Sequence, residues 1–137
     1  MKTIMDQPKI DPEWPNALRW FLCQNLRSFV PWHFIREASE LEFAANAFRR
    51  EDVARGEVFV FAKRQDCDDF AGLEVVAGKI TEKVICFHPV FASGSALSSE
   101  PTWNIVDGVF EDVFEFVAKQ VVSDMKDWAL TEDASEL

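Results

Sequence analysis

The sequence predicts an α+β fold: a small antiparallel β-sheet packed with N-terminal helices and a long C-terminal amphipathic helix. Apolar residues recur at three- and four-residue steps near the start and the end of the chain, which is helical spacing. Between them lie three runs rich in β-branched and aromatic residues, EVFVFAKR, FAGLEVV and KVICFHPVF. The joints between those runs are short, so successive strands must reverse direction.

Residues 1–13 are polar and Pro-containing and read as a flexible arm. Pro15 suits the first turn of a helix, where its missing N–H costs nothing. Leu18, Phe21, Leu22, Leu26 and Phe29 then form one apolar stripe, which Pro31 ends. VPWHFI reads as a short aromatic connector. Ser39 starts a second helix and Glu42, three residues on, completes a capping box. Its buried face is Leu41, Ala44, Ala45 and Phe48. Gly56 marks the change of period. EVFVFAKR is apolar on both faces, as suits a strand covered on both sides. QDCDD and the residues around Gly78 supply the turns of a three-stranded meander, and ASGSALSSEPTWNI reads as a long surface loop. In the last helix Phe110, Val113, Phe114, Val117, Val121, Met125 and Trp128 share one face. Glu111, Asp112, Glu115, Lys119, Lys126 and Asp127 occupy the other. One domain over residues 14–130 holds all these elements, and residues 131–137 form an acidic tail.

A length of 137 residues suits one domain, and a hydrophobic fraction of 48% supplies a packed interior. Thirteen Phe and five Trp with no Tyr place most aromatic rings in the core, since Phe carries no polar handle. A net charge of −10 argues against nucleic-acid binding, which depends on cations neutralising phosphates. The same charge disfavours an anionic membrane and favours a basic protein partner. Cys23, Cys67 and Cys86 are odd in number and lack metal-type spacing, so free thiols are expected. The N-terminal stretch has no apolar h-region, and no apolar run approaches the roughly 20 residues of a membrane span. A cytoplasmic protein is the expectation.

The densest polar cluster is Arg64 to Asp69. Asp66, Asp68 and Asp69 could hold a hard cation, but the Gly and distal Glu of a calcium loop are missing. A tight turn whose Asp side chains accept backbone N–H bonds is the better account, with Arg64 pairing one carboxylate. His33 and His88 lack a carboxylate at metal-ligand spacing and read as structural. The serines of SGSALSS lack a nucleophile elbow, and both phosphate-cradling glycine motifs are absent. No cofactor is expected. Trp14, Trp32, Trp103 and Trp128 are weighed as interface anchors. Trp128 closes the last apolar stripe and reads as core; Trp103, in a polar loop, is the first candidate anchor.

The run PWHFI, followed by a helix, FAKRQDCDDFAGLEV, KVICFHPVF and an aromatic C-terminal helix, resembles the SUKH superfamily. The similarity spans Val30 to Ala129 and is most specific at Pro31, Trp32, Phe61, Ala62, Arg64, Gln65, Asp66, Asp68 and Asp69. It weakens after Phe91, at the serine-rich excursion. That superfamily includes bacterial immunity proteins of polymorphic toxin systems and a fungal regulator of cell-wall synthesis. The resemblance implies an α+β fold, no enzymatic activity and a protein ligand, in the immunity branch a toxin that is often a basic nuclease. The expectation is therefore a non-enzymatic module that binds a basic toxin domain. Its expected contact residues are Asp66, Asp68, Asp69, Trp103, Glu111, Asp112 and Glu115. Two rivals stand beside it: a regulatory or assembly protein of the same superfamily, and a small metal-dependent hydrolase using Asp66, Asp68 and Asp69.

Overall fold

A computed structural model of the chain describes residues 9–91 and 104–137. Among the described residues the elements in order are α1 (Asn16–Cys23), β1 (Ser28–Phe29), β2 (Trp32–Phe34), α2 (Ala38–Glu51), β3 (Val58–Arg64), β4 (Phe70–Val76), β5 (Lys79–Phe87) and β6 (Val106–Phe110). A last helix, α3, has an α-helical turn Val113–Phe116, a wider π-helical stretch Val117–Val121 and an α-helical end Val122–Ala129. The strands form one antiparallel sheet in chain order, β1 to β6. The fold is α+β.

Both faces of the sheet are covered. Leu41, Ala44 and Phe48 of α2 pack on Val58, Val60, Phe70, Ile85 and Phe87. On the other face Leu18 and Leu22 of α1, with Val113, Phe116 and Val121 of α3, pack on Trp32, Phe34, Phe61, Leu73 and Val84. Successive residues of β3 thus feed opposite cores, which is why EVFVFAKR lacks a polar face. β4 lies so close to β3 that a Cβ on Gly72 would stand 2.8 Å from Val58 Cβ, so only glycine fits there. Ala77 and Gly78, with φ of 50° and 77°, close the β4–β5 hairpin. Positive φ at both central residues matches the twist of paired strands.

Several elements differ from their expected form. α1 ends at Cys23 rather than at Pro31, because Asn25 turns left-handed at φ 61°. The helical stripe ran on in the sequence because Phe29, now in β1, still packs on Phe21 and Phe34. VPWHFI is not a connector: it turns at Pro31 and pairs Phe29 with Trp32. Ser39 makes no capping bond. Glu37, left-handed at φ 53°, precedes α2, and its carbonyl accepts from Glu40 and Leu41 N–H. The buried face of α2 takes in Ala47 and Glu51, while Ala45 is half-buried. β5 begins at Lys79, well before Lys83, because the turn around Gly78 is tight.

The largest correction is β6. Val106–Val109 fell between the expected loop and the last helix, and Phe110 was expected as the first residue of that helix, yet Val106–Phe110 pairs with β5 from Val84↔Phe110 to Phe87↔Val106. α3 starts later, where Asp112 accepts a bond from Glu115 N–H at 2.9 Å. Its buried residues are Val113, Phe116, Val121 and Asp124. The five-residue step from Phe116 to Val121 crosses the π-helical stretch and rotates the inward face. Met125 therefore lies outward, against the expected stripe; Phe114, ahead of the π-helical stretch, is half exposed against Phe21, and Trp128 is only half-buried. In the expected arm, Ile10 packs against the α1–α3 core.

Candidate functional site

The Gln65–Asp69 run joins β3 to β4 at one end of the sheet. Arg64 donates from Nε and Nη2 to the two oxygens of Asp66, both at 2.9 Å. This fork holds the Asp66 carboxyl below its ordinary range, the hydrogen bonds from Arg64 being the first cause, and pushes the Arg64 guanidinium up. The third nitrogen, Nη1, lies 3.3 Å from Asp124 Oδ2 on α3. That same oxygen accepts from Trp32 Nε1 at 2.8 Å and from Gln120 Nε2 at 3.0 Å. A buried Trp–Asp–Arg network thus ties β2, the acidic turn and α3 together, and each polar group in it finds a partner.

His33, expected to be structural, is bonded on both ring nitrogens. Arg36 Nη1, which can only donate, lies 2.7 Å from Nδ1. Nδ1 must therefore accept, and the ring proton sits on Nε2 facing Gln65 Oε1. Gln65 N–H in turn donates to Pro31 O at 2.8 Å, so Pro31 and Trp32 brace the turn from below.

The three turn carboxylates go to different places. Asp66 is neutralised by Arg64. Asp69 Oδ1 lies 2.7 Å from His88 Nδ1, and its other oxygen accepts from Cys67 Sγ at 3.4 Å. Asp68 is exposed and makes no hydrogen bond or ion pair with a described residue. Asp107 of β6 belongs to the same end: desolvation first, then the Asp69 charge, raises its carboxyl, and His88 pulls it back. Among the described residues no group of three His, Cys, Asp or Glu is arranged to hold a metal ion.

Cys67, Asp69 and His88 are three residue types that do nucleophilic chemistry, but their order is wrong for it. Asp69 stands between sulfur and imidazole, so the imidazole does not reach the thiol. Burial, then the Asp69 charge, pushes the Cys67 thiol up to about 11, which keeps it protonated at neutral pH. Burial also raises Cys86, which lies in the core. All three cysteines are free.

The carboxylates of the last helix do structural work. Asp112 caps α3, and Glu115 accepts from Glu111 N–H at 2.7 Å and from Lys119 Nζ at 3.2 Å. The backbone bond to Glu111, ahead of Lys119, lowers the Glu115 carboxyl. The aspartate-x-x-glutamate pattern at Asp112 is a helix-start signal that the sequence reading passed over. Among the tryptophans, Trp32 is core, Trp14 packs on Phe59 at 5.4 Å, and Trp103 lies outside the described residues. Sequence reasoning passed over Trp20, which is 54% exposed on α1, and over Asp124, hidden among helix-face carboxylates.

Comparison of the chain with protein-family models, with curated proteins and with solved structures finds no match. No helix among the described residues is long and apolar enough to cross a membrane.

Proposed function

We propose that this protein is a non-enzymatic protein-binding module of SUKH type with an immunity-type role, neutralising a basic toxin domain by covering its substrate-binding surface. One observation carries the reading. Asp66, Asp68, Asp69 and Asp107 stand at one end of the sheet; Arg64 pairs with Asp66, His88 lies against Asp69, and Lys63 Nζ reaches the main chain of the turn at Arg64 O and Cys67 O, which leaves Asp68 and Asp107 without a bonded cation among the described residues. Asp66 and Asp69 are held by bonds within the fold, so they meet a partner without further ordering, which lowers the cost of association. A surplus of −10 over the whole chain adds long-range attraction for a basic partner. In this reading the carboxylates take the place of a nuclease substrate's phosphates, so binding blocks access without any chemical step.

The test is kinetic binding to the product of an adjacent toxin-like gene at low and high salt, with the wild type and with Asp68→Lys. Asp68 bonds to no described residue, so its replacement leaves the fold intact. Association should slow steeply with salt and again with the variant, while dissociation changes little. Salt-independent association, unaltered by the variant, removes the acidic-end mechanism. Failure to protect against any neighbouring toxin moves the protein to the regulatory or assembly role.

A further inference from the structure

Half of β3 is a sheet edge with no second strand beside it among the described residues. β2 pairs only with Ala62–Arg64, and its chain leaves the sheet at Ile35, whose N–H makes a last bond to Phe61 O at 2.7 Å. From Val60 back to Val58 the strand is paired with β4 alone. Glu57 O accepts from Val75 N–H at 2.9 Å, so alternation turns Glu57 and Phe59 toward β4. The main-chain N–H and C=O of Val58 and Val60 then face the open side, where no described residue bonds them, though the two residues keep only 5% and 4% of their surface exposed.

That open side is a groove of about 370 Å³. Val58, Phe59 and Val60 line it along the strand, Ala38 and Ala45 of α2 bound it on one face, and Trp14 bounds it on the other. Glu42 is its one charged lining residue; it is exposed and has no ion pair with a described residue.

We propose that this groove takes an extended apolar segment of a partner protein, with a basic residue beside it, added as a strand to the free edge of β3. The main-chain groups that no described residue bonds choose the occupant. A lipid chain or an aromatic ligand would fill the groove but leave those donors and acceptors without partners, which costs free energy. An extended peptide supplies both hydrogen bonds and apolar side chains. The unpaired Glu42 and the −10 charge select a cation next to the apolar stretch. A second copy of this chain carries the same −10 and is repelled. The ladder available from Val58 to Val60 is roughly 10 Å long, enough for about three residues. This surface lies on the other half of β3 from the acidic turn and does not rest on that turn's role.

The experiment is amide hydrogen exchange on the full chain, with a set of synthetic peptides of about eight residues that alternate Val, Ile, Leu or Phe with Thr and end in Arg. In the free protein the Val58 and Val60 N–H should exchange about tenfold or more faster than Phe59 N–H, which faces β4. A bound peptide should slow those two amides by about tenfold and leave residues 65–69 unchanged. Methylating alternate peptide nitrogens should abolish the effect without touching the protein. Ala45→Trp, which fills the groove, should abolish it too; Glu42→Lys should weaken it, and Asp68→Lys should not. Any of four outcomes overturns the proposal. These are protection indifferent to N-methylation, no protection by any peptide of the set, protection that appears only on raising protein concentration, and free-state protection lost on deleting residues 1–8. The last two would assign the edge to a second copy or to the chain's own N-terminus. Because Asp68→Lys alters only toxin association and Ala45→Trp only peptide capture, failure of one reading is visible apart from the other.

Discussion

The two halves of β3 are built on opposite terms. From Ala62 to Arg64 the strand is paired on both sides; Arg64 reaches Asp124 of α3, and the turn beyond it is bonded to His33 of β2 and to His88, just after β5. From Val58 to Val60 it is paired on one side and faces an apolar groove. Where the main chain is satisfied, recognition must come from side-chain charge, which steers and discriminates. Where the main chain is open, recognition can come from the ladder itself. Two of the six non-glycine residues with positive φ among the described residues stand at the boundary. Ile35 and Glu37 both have positive φ where β2 leaves the sheet and α2 begins, and a β-branched residue such as Ile35 rarely adopts it.

The strongest way to break this contrast is at Asp124. Its carboxylate is buried and holds Trp32 Nε1, Gln120 and Arg64 together. Asp124→Ala strands the indole N–H and one face of the guanidinium, and should lower stability by about 3 kcal/mol in chemical denaturation. Asp124→Asn keeps an acceptor for Trp32 and should recover part of that loss. A null effect of the alanine variant would show that the turn stands without α3. The next effect is smaller. Asp69→Ala removes the partly exposed bonds to His88 and Cys67 and should cost about 1 kcal/mol. Millimolar calcium or magnesium that stabilises the wild type but not this variant would return the turn to the metal-binding reading.

How the sequence led here differs between the two halves. FAGLEVV as a strand and the turn at Gly78 were legible because β-branched runs and glycine act locally. The α+β class followed from the order of periodic segments. β6 was missed because five residues after a long polar stretch carry too short a pattern to separate from the helix that follows. The buried set of α3 was misread because a π-helical stretch shifts the face, and a 3.6-residue period cannot register it. At the site, the Arg64–Asp66 pair was readable from two neighbours in one turn. Asp124 is about as far from Trp32 as the chain allows, |i−j| being 92, and only folding brings them together. The free edge was invisible for the same reason: whether a strand has a neighbour is a property of β2 ending early, not of β3.

Titration separates the charges of the paired half by sign. Asp66 lies below its ordinary value because Arg64 bonds its charged form. Its stabilisation is fully present above the ordinary carboxylate range and is lost as pH falls through the depressed value. Asp107 is raised, by desolvation and then by Asp69. A raised carboxyl favours the fold at low pH, and that contribution is lost as pH rises through the folded value. Asp66→Asn should therefore lower Tm at pH 7 and lose its penalty in acid. Asp107→Asn should raise Tm slightly at pH 7, with the gain vanishing in acid. Parallel pH profiles for the two variants would contradict the opposed assignment.

The smallest expected effect lies at the open half. Glu37 sits in the left-handed region, φ 53° and ψ 65°, with an exposed side chain and no capping role for that side chain. A non-glycine residue there strains its Cβ against the backbone, which glycine does not. Its carboxyl also lies against Glu40. A shared side-chain hydrogen bond, ahead of the like charge, raises Glu37 and lowers Glu40, whose other partner is Lys63 at 3.0 Å. Glu37→Gly removes the strain and the like charge together, while the Glu37 carbonyl still accepts the first N–H groups of α2. A small rise in Tm is expected, offset in part by the greater freedom of glycine in the unfolded chain. Ile35→Gly relieves the same kind of strain but gives up a side chain that packs on the core and lines the groove, so its Tm should fall. If Glu37→Gly also lowers Tm, the entry to α2 is held by side-chain contacts and not by backbone conformation. The boundary between the two halves of β3 would then be a packed joint, without the strain assigned to it here.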